Sequence, residues 1–359
     1  MGGQLRGKLV WLSGRCFGGV LLWGAEVLML DRDFQGLASA LAVDVIEECR
    51  GRLGEISWFT TTWQHSGAGT GFATWTTKKG VEIECVVKLP VGYREYHWTK
   101  RLGLVHEDDW ERSGSLSLAT PRVLAAGYEL GGHDFAWIVM ERFENPPLAS
   151  TIDESSMWEI FEAGAEFQAA AVLEEIVDPK RMGKDSDWGG DLVRALAAVE
   201  AHDMGEGVRW KRAIERVLGD LDVFVGLWEG RAIDTWCHHD LHGRNAMRRV
   251  SHNPEVHGRC ALIDLAMVGP GHWVEDALYI ERLHWGHEEL LFGIDPVGTL
   301  GRCRGALGLP VGGDFEEIAD VRRVLMAGTC PNFLRTEGDE LYLNAALGRL
   351  EELLGEFLG

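Results

Sequence analysis

The run Trp236-Cys237-His238-His239-Asp240-Leu241-His242-Gly243-Arg244-Asn245, followed downstream by Cys260-Ala261-Leu262-Ile263-Asp264, decides how the chain is read. The first segment fits H-x-D-x-x-x-x-N, and the second is a short apolar run that ends on a carboxylate. Moving a phosphoryl group from a nucleotide to a hydroxyl needs a carboxylate that orients the acceptor and takes its proton. It also needs oxygen ligands that hold Mg²⁺ against the phosphates. Asp240, Asn245 and Asp264 supply those groups. Two other readings compete. His238, His239, Asp240 and His242 are all zinc-ligand types, but neighbours on an extended strand point to opposite faces and no second ligand cluster is evident. The plainer alternative is a surface loop in which Asp and Asn cap local backbone.

Upstream, Ser66-Gly67-Ala68-Gly69-Thr70-Gly71 lies between two β-rich runs, residues 57–64 and 71–77, rather than between a strand and a helix. That placement excludes a Walker loop and a Rossmann fingerprint. It suits a hairpin that covers phosphates, with Gly67, Gly69 and Gly71 as its contacts, and equally a flexible turn. The third run, 81–89, carries Lys88 near its end, where a kinase places the ammonium that pairs the α- and β-phosphates. An exposed strand-end lysine is the alternative. Two further strands are expected at 121–126 and 135–143, turned by Gly131-Gly132. The last of them ends on Met140-Glu141-Arg142-Phe143 before Pro146-Pro147.

Taken together, residues 238–245, Leu262-Ile263-Asp264 and Gly269-Pro270-Gly271 resemble the catalytic region of the aminoglycoside phosphotransferase and choline kinase superfamily. His242 after Asp240 favours that branch over protein kinases, which usually carry Lys there; the lack of an Asp-Phe-Gly to Ala-Pro-Glu segment points the same way. The resemblance implies a bilobal α+β fold of the protein-kinase type. It implies Asp240 as catalytic base, Asn245 and Asp264 as Mg²⁺ ligands, and His238 as a structural residue of the loop. Glu95 would be the helix partner of Lys88, with Glu107 as fallback. Met140 and Arg142 would lie at the hinge that offers backbone groups to adenine, and Asp276 would support the loop from behind. The sequence departs from the family pattern at His239, where a small residue is usual, and at Gly243-Arg244, where Pro-Gly is frequent. The implied activity is transfer of a phosphoryl group from Mg-ATP or Mg-GTP to a hydroxyl of an aminoglycoside, amino alcohol, sugar or similar small molecule. A nucleotide-binding pseudokinase is the alternative.

The organisation agrees with that order. Residues 1–30 read as an accessory extension, with Arg15 interrupting an apolar stretch too short and glycine-rich to span a membrane, and Met29 as an alternative start. A β-rich nucleotide-binding lobe is expected over 31–143, opened by a helix at 31–52 and carrying another at 93–102. A helical catalytic and substrate-binding lobe follows over 144–359, with helices at 154–177, 192–201 and 210–228. Within it the strands 235–238 and 261–264 read as a small hairpin. Trp273, Glu281, His284, Trp285, His287 and Glu288 are candidates for the acceptor wall, each equally a core or helix-face residue.

A formal net charge of −21 makes nucleic acid or an anionic membrane an unfavourable partner and favours a cationic acceptor. Seven cysteines without a C-x-x-C pair argue against a disulfide framework or thiolate zinc site, and read as reduced thiols of a cytoplasmic protein. Fifteen tryptophans spread along the chain read mainly as core or cleft-wall residues rather than a repeat signature.

Overall fold

The computed structural model describes residues 34–59, 68–104, 118–182, 186–202, 204–250, 259–334 and 339–358. The extension 1–30, Gly67 and Glu107 lie outside them. The chain has the α+β architecture expected from its sequence: a five-stranded antiparallel sheet followed by a larger, mainly helical part.

The sheet runs β1 (Ser57–Phe59), β2 (Gly69–Thr76), β3 (Glu82–Val91), β5 (Ala136–Glu141), β4 (Val123–Gly127) in spatial order. Because side chains alternate across a strand, Cys85, Val87 and Leu89 of central β3 join one apolar cluster. That cluster is covered by α1 (Phe34–Ala40) and α2 (Ala42–Glu48), through Ala38 and Val45. The expected helix over 31–52 is thus two short helices divided at Leu41. Lys88, on the alternate register of β3, opposes Thr70 of β2 and Ile138 of β5. It faces α3 (Tyr93–Gly103), whose buried stripe of Glu95, Trp98, Thr99 and Leu102 has helical spacing. Glu95 in the first turn and Lys100 and Arg101 in the last complement the helix dipole.

The helical part opens with α4 (Glu154–Glu174), whose N-cap Asp153 accepts from Ser156 N at 2.7 Å. It continues through α5 (Trp188–Ala201), α6 (Gly207–Gly219) and α7 (Leu221–Glu229). The single helix expected over 210–228 is therefore broken at Gly219-Asp220. After the strand segments come α8 (Val274–Leu283), α9 (Pro296–Ala306), α10 (Phe315–Thr329) and α11 (Glu340–Leu358). One core unites them, with Trp210, Trp228, Trp236, Trp273 and Trp285 fully buried. Among the described residues no helix is long and apolar enough to cross a membrane.

The embedded hairpin is a correction. Strand β6 (Thr235–Cys237) pairs not with the segment before Asp264 but with β9 (Gly269–Gly271). The latter segment, β8 (Cys260–Leu262), pairs with β7 (Ala246–Arg248). Two small antiparallel ribbons, rather than one, carry the quoted motif.

Sheet and helical part are tied at Glu141, the end of β5. Its carboxylate accepts from Arg122 Nε at 2.7 Å and from Arg249 Nη2, just beyond β7, at 2.7 Å. Burial would push this carboxyl up, but Arg249 and Arg122 hold it below the usual range. A depressed folded-state value contributes stability that is present above the unfolded pKa of about 4.3 and is lost as pH falls through the folded one. Glu141→Gln is expected to cost roughly 2 kcal/mol at pH 7. Urea denaturation from pH 7 down to pH 3 should show the deficit of the variant shrinking at the acid end.

Candidate active site

The segment after β6 turns sharply because His239 adopts a left-handed backbone, φ 60°. Asp276 of α8, wholly buried, makes this turn possible. Its Oδ2 accepts from His238 N at 3.0 Å and its Oδ1 from His239 N at 2.8 Å. Two amides that would otherwise be buried without partners are thereby satisfied. The imidazole of His239 occupies space left by Gly269 and Gly271: a Cβ at either would stand 3.4 or 3.0 Å from the ring. Its Nδ1 donates to Met267 O at 3.3 Å and its Nε2 lies 3.5 Å from Glu275 Oε2. Burial disfavours charge on this ring, yet the Glu275 carboxylate outweighs it and raises the pKa above the usual value. Glu275, paired also with Arg231 Nε at 3.2 Å, is held well below the carboxylate range.

Leu241 anchors the far side of the turn. It is fully buried against Gly164 of α4, where a Cβ would come within 2.7 Å of the leucine. Gly243 O accepts from Ala149 N at 2.9 Å, and a Cβ there would press on the same nitrogen at 3.1 Å. These contacts fix Asp240 between them. Asn245 Nδ2 donates to Asp240 O at 3.0 Å and to Asp240 Oδ2 at 2.9 Å. His242 Nδ1 accepts from Arg244 N at 3.0 Å, so a neutral ring carries its proton on Nε2, 3.3 Å from Asp240 Oδ1. The same ring stacks on Tyr279, centroids 6.1 Å apart. Both carboxylate oxygens of Asp240 are thus oriented, while the side chain keeps some exposure.

The register of β7 with β8 places Ile263 opposite Asn245, with Ile263 N donating to Asn245 O at 2.9 Å. Asp264 follows in a left-handed conformation, φ 61° and ψ 61°, with about a third of its side chain exposed. Its Oδ1 lies 3.6 Å from Lys88 Nζ, and Lys88 also pairs with Glu95 Oε1. Burial alone would strip the charge from Lys88, but the Glu95 and Asp264 carboxylates hold its pKa above the ordinary lysine value. A central strand, the first turn of α3 and the end of the β7–β8 ribbon therefore meet at one ammonium. Trp98 of α3 packs on Trp236 of β6 with centroids 4.7 Å apart, joining α3 to the β6–β9 ribbon as well.

Gly69 and Gly71 lie in β2; at Gly71 a Cβ would meet Ile56 Cγ2 at 2.5 Å, so that glycine serves packing against the strand before it. Met140 is half-buried in β5, and Arg142 pairs with Glu84 at 3.1 Å and covers Phe72. His238 donates from Nε2 to Ile263 O at 3.0 Å, tying the two ribbons together; burial lowers its pKa and keeps it neutral. The three histidines thus take separate partners, and among the described residues no three His, Cys, Asp or Glu side chains converge as metal ligands. Several candidates for an acceptor wall belong to the core. Trp273 and Trp285 are buried, and Glu281 is buried in a pair with Arg323 at 2.6 Å.

Gln168 and Arg304 were missed by the sequence reading. Gln168 Nε2 donates to Asp276 Oδ2 at 2.7 Å, and its Oε1 accepts from Arg304 Nη1 at 2.6 Å. The one available signal was a polar residue in the apolar stripe Phe161, Gly164, Gln168, Ala171 of α4.

No protein-family model matches the chain, and no curated protein does. Among solved structures, the chain is similar to an aminoglycoside phosphotransferase from Alicyclobacillus acidocaldarius, with 14% identity and a TM-score of 0.49 over 86% of this chain and 91% of that one. It is similar to a thermostable mutant of the aminoglycoside phosphotransferase APH(4)-Ia bound to ADP and hygromycin B, with 14% identity and a TM-score of 0.46 over 89% and 99%. It is also similar to choline kinase from Cryptosporidium parvum, with 9% identity and a TM-score of 0.45 over 89% and 93%.

Proposed function

We propose that the protein is an ATP-dependent phosphotransferase that moves the γ-phosphoryl group to a hydroxyl of a small molecule. The observation that supports this most is the meeting of Lys88, Glu95 and Asp264, with Ile263, the residue before Asp264, bonded through its N–H to the backbone of Asn245, whose side chain holds Asp240. A fixed cation, a partly exposed hard carboxylate and a second, oriented carboxylate are the groups that phosphoryl transfer requires.

Mg²⁺ fits the donor set. Asn245 commits its amide nitrogen to Asp240, which leaves Oδ1 as an oxygen donor, and Asp264 adds a partly exposed carboxylate. Those two residues would hold the ion, which when bound neutralises charge on the phosphates. The chain's own residues do the rest. Lys88, kept in place by Glu95, holds the α- and β-phosphates, and the backbone near Met140 and Arg142 takes the base. Asp240 accepts a hydrogen bond from the acceptor hydroxyl. As the new O–P bond forms and the bond to the nucleoside diphosphate breaks, the hydroxyl proton passes to an Asp240 carboxylate oxygen. Asn245 and His242 keep that carboxylate from rotating, so catalysis is mainly positioning. The acidic chain favours a cationic acceptor such as an aminoglycoside or amino alcohol over a neutral sugar.

Thermal unfolding tests the nucleotide site. Mg-ATP at one hundred times its Kd should stabilise the protein by about 2.7 kcal/mol, and EDTA should remove most of that gain. Mg-GTP run alongside decides the donor. No shift with either nucleotide would contradict the proposal, and a shift without turnover would favour a nucleotide-binding pseudokinase.

A further inference from the structure

Arg304 of α9 is 2% exposed, and among the described residues no carboxylate pairs with it directly. A guanidinium removed from water without a carboxylate is costly to keep, so its partners matter. They are neutral oxygens: Gln168 Oε1 at 2.6 Å, Pro310 O at 2.7 Å and Thr235 Oγ1 at 3.4 Å. The cation therefore settles which way round the Gln168 amide sits. With Oε1 held by Arg304, Nε2 must face Asp276, and it does so at 2.7 Å. Gln168 is itself wholly buried, as is Asp276. Asp276 in turn carries the amides of His238 and His239, the two residues that precede Asp240.

We propose that Arg304 and Gln168 are positioning residues that act through Asp276 to hold the His238–His239 turn, and with it Asp240, in its working geometry. The chain of contacts joins α9, α4 and α8 in turn, and a donor meets an acceptor at every link so that each group orients the next. Arg304 also donates to Pro310 O, beyond the end of α9, so the same cation fixes the segment leading towards α10. The catalytic part of this inference rests on the phosphotransferase reading; the structural part does not.

Hydrogen–deuterium exchange on the full chain separates the two. In Gln168→Met, which keeps length but loses both polar ends, the amides of His238 and His239 should exchange about tenfold faster, while those of β5 do not change. Gln168→Glu, which strengthens the contact with Arg304 but repels Asp276, should give the same local acceleration. Arg304→Lys, which keeps a cation near Oε1, should restore much of the protection lost in Arg304→Met. In steady-state turnover, Gln168→Met should lower kcat roughly 10- to 100-fold and leave KM for ATP within about twofold. Unchanged exchange at those two amides in folded variants, or acceleration spread evenly through the chain, would overturn the proposal. Absence of ATP turnover in the wild-type protein would instead sink the phosphotransferase reading and leave the exchange result standing.

Discussion

Asp240→Asn is expected to lower phosphoryl transfer by roughly 10²- to 10⁴-fold, the usual contribution of a positioned general base, while Mg-ATP still stabilises the protein. The substitution preserves size, and its amide oxygen can still accept from Asn245 Nδ2 as Asp240 Oδ2 does at 2.9 Å. It loses the ability to take a proton, and it turns an amide NH₂ towards the Nε2 of His242, which lies 3.3 Å from Asp240 Oδ1. Loss of transfer with retained nucleotide stabilisation separates a base from a binding residue. If transfer survives, the proton has another destination and the role given to Asp240 is wrong.

Lys88→Met should damage both stability and turnover. Removing the ammonium leaves Glu95 buried without its partner, which typically costs about 3 kcal/mol or more. Transfer should fall by roughly 10²-fold or more, as when one preorganised donor to developing charge is lost. The stability deficit should depend on pH in a direction set by Glu95. Burial already pushes that carboxyl up, and without Lys88 nothing comparable pulls it back. A carboxyl with a raised folded-state value destabilises increasingly as pH rises from the unfolded pKa of about 4.3. The variant should therefore lie closer to wild type at pH 5 than at pH 8 in urea midpoints. Lys88→Met and Glu95→Gln combined should recover part of the stability but none of the turnover; full additivity of the two losses would show that the side chains do not act as a pair.

The sequence exposed the sheet part of this fold well, because alternating apolar residues and the glycine turns carry local information. Gly131 and Gly132, for instance, both adopt positive φ at the expected turn between β4 and β5. The ribbons around the candidate site were less legible. Strand β9 is Gly269-Pro270-Gly271 and β7 is Ala246-Met247-Arg248, and neither has the branched or aromatic composition that marks a strand. Their pairing is dictated by what lies across from them, so only the tertiary structure reveals that β6 and β8 belong to different ribbons. The break at Asp220 had a local sign in Gly219-Asp220, outweighed by the apolar spacing that runs through it.

The site shows the same division. Asp240, Asn245 and Asp264 stood out because the proposed phosphoryl transfer uses those residue types at a recognisable spacing; in the structure Asn245 Nδ2 donates to Asp240 Oδ2 at 2.9 Å and Asp264 Oδ1 lies 3.6 Å from Lys88 Nζ. Gln168 and Arg304 lie far from the motif in sequence, and Arg304 sits in Gly301-Arg302-Cys303-Arg304-Gly305, where nothing sets it apart from a solvated helix residue. Conversely Trp273, Glu281 and Trp285 looked equally suited to a pocket wall and to a core, and burial places them in the core. Aromatic and charged residue types at helical spacing do not distinguish those environments; only the neighbours do.

The most direct test follows label from γ-³²P-ATP with Mg²⁺ into a panel of aminoglycosides, amino alcohols and sugars, using wild type and Asp240→Asn side by side. Labelled small-molecule product is expected from the wild-type protein on at least one hydroxylated acceptor, with loss of that product in the variant. Label that stays on the nucleotide with every acceptor, or product formed equally by both proteins, would contradict the proposal.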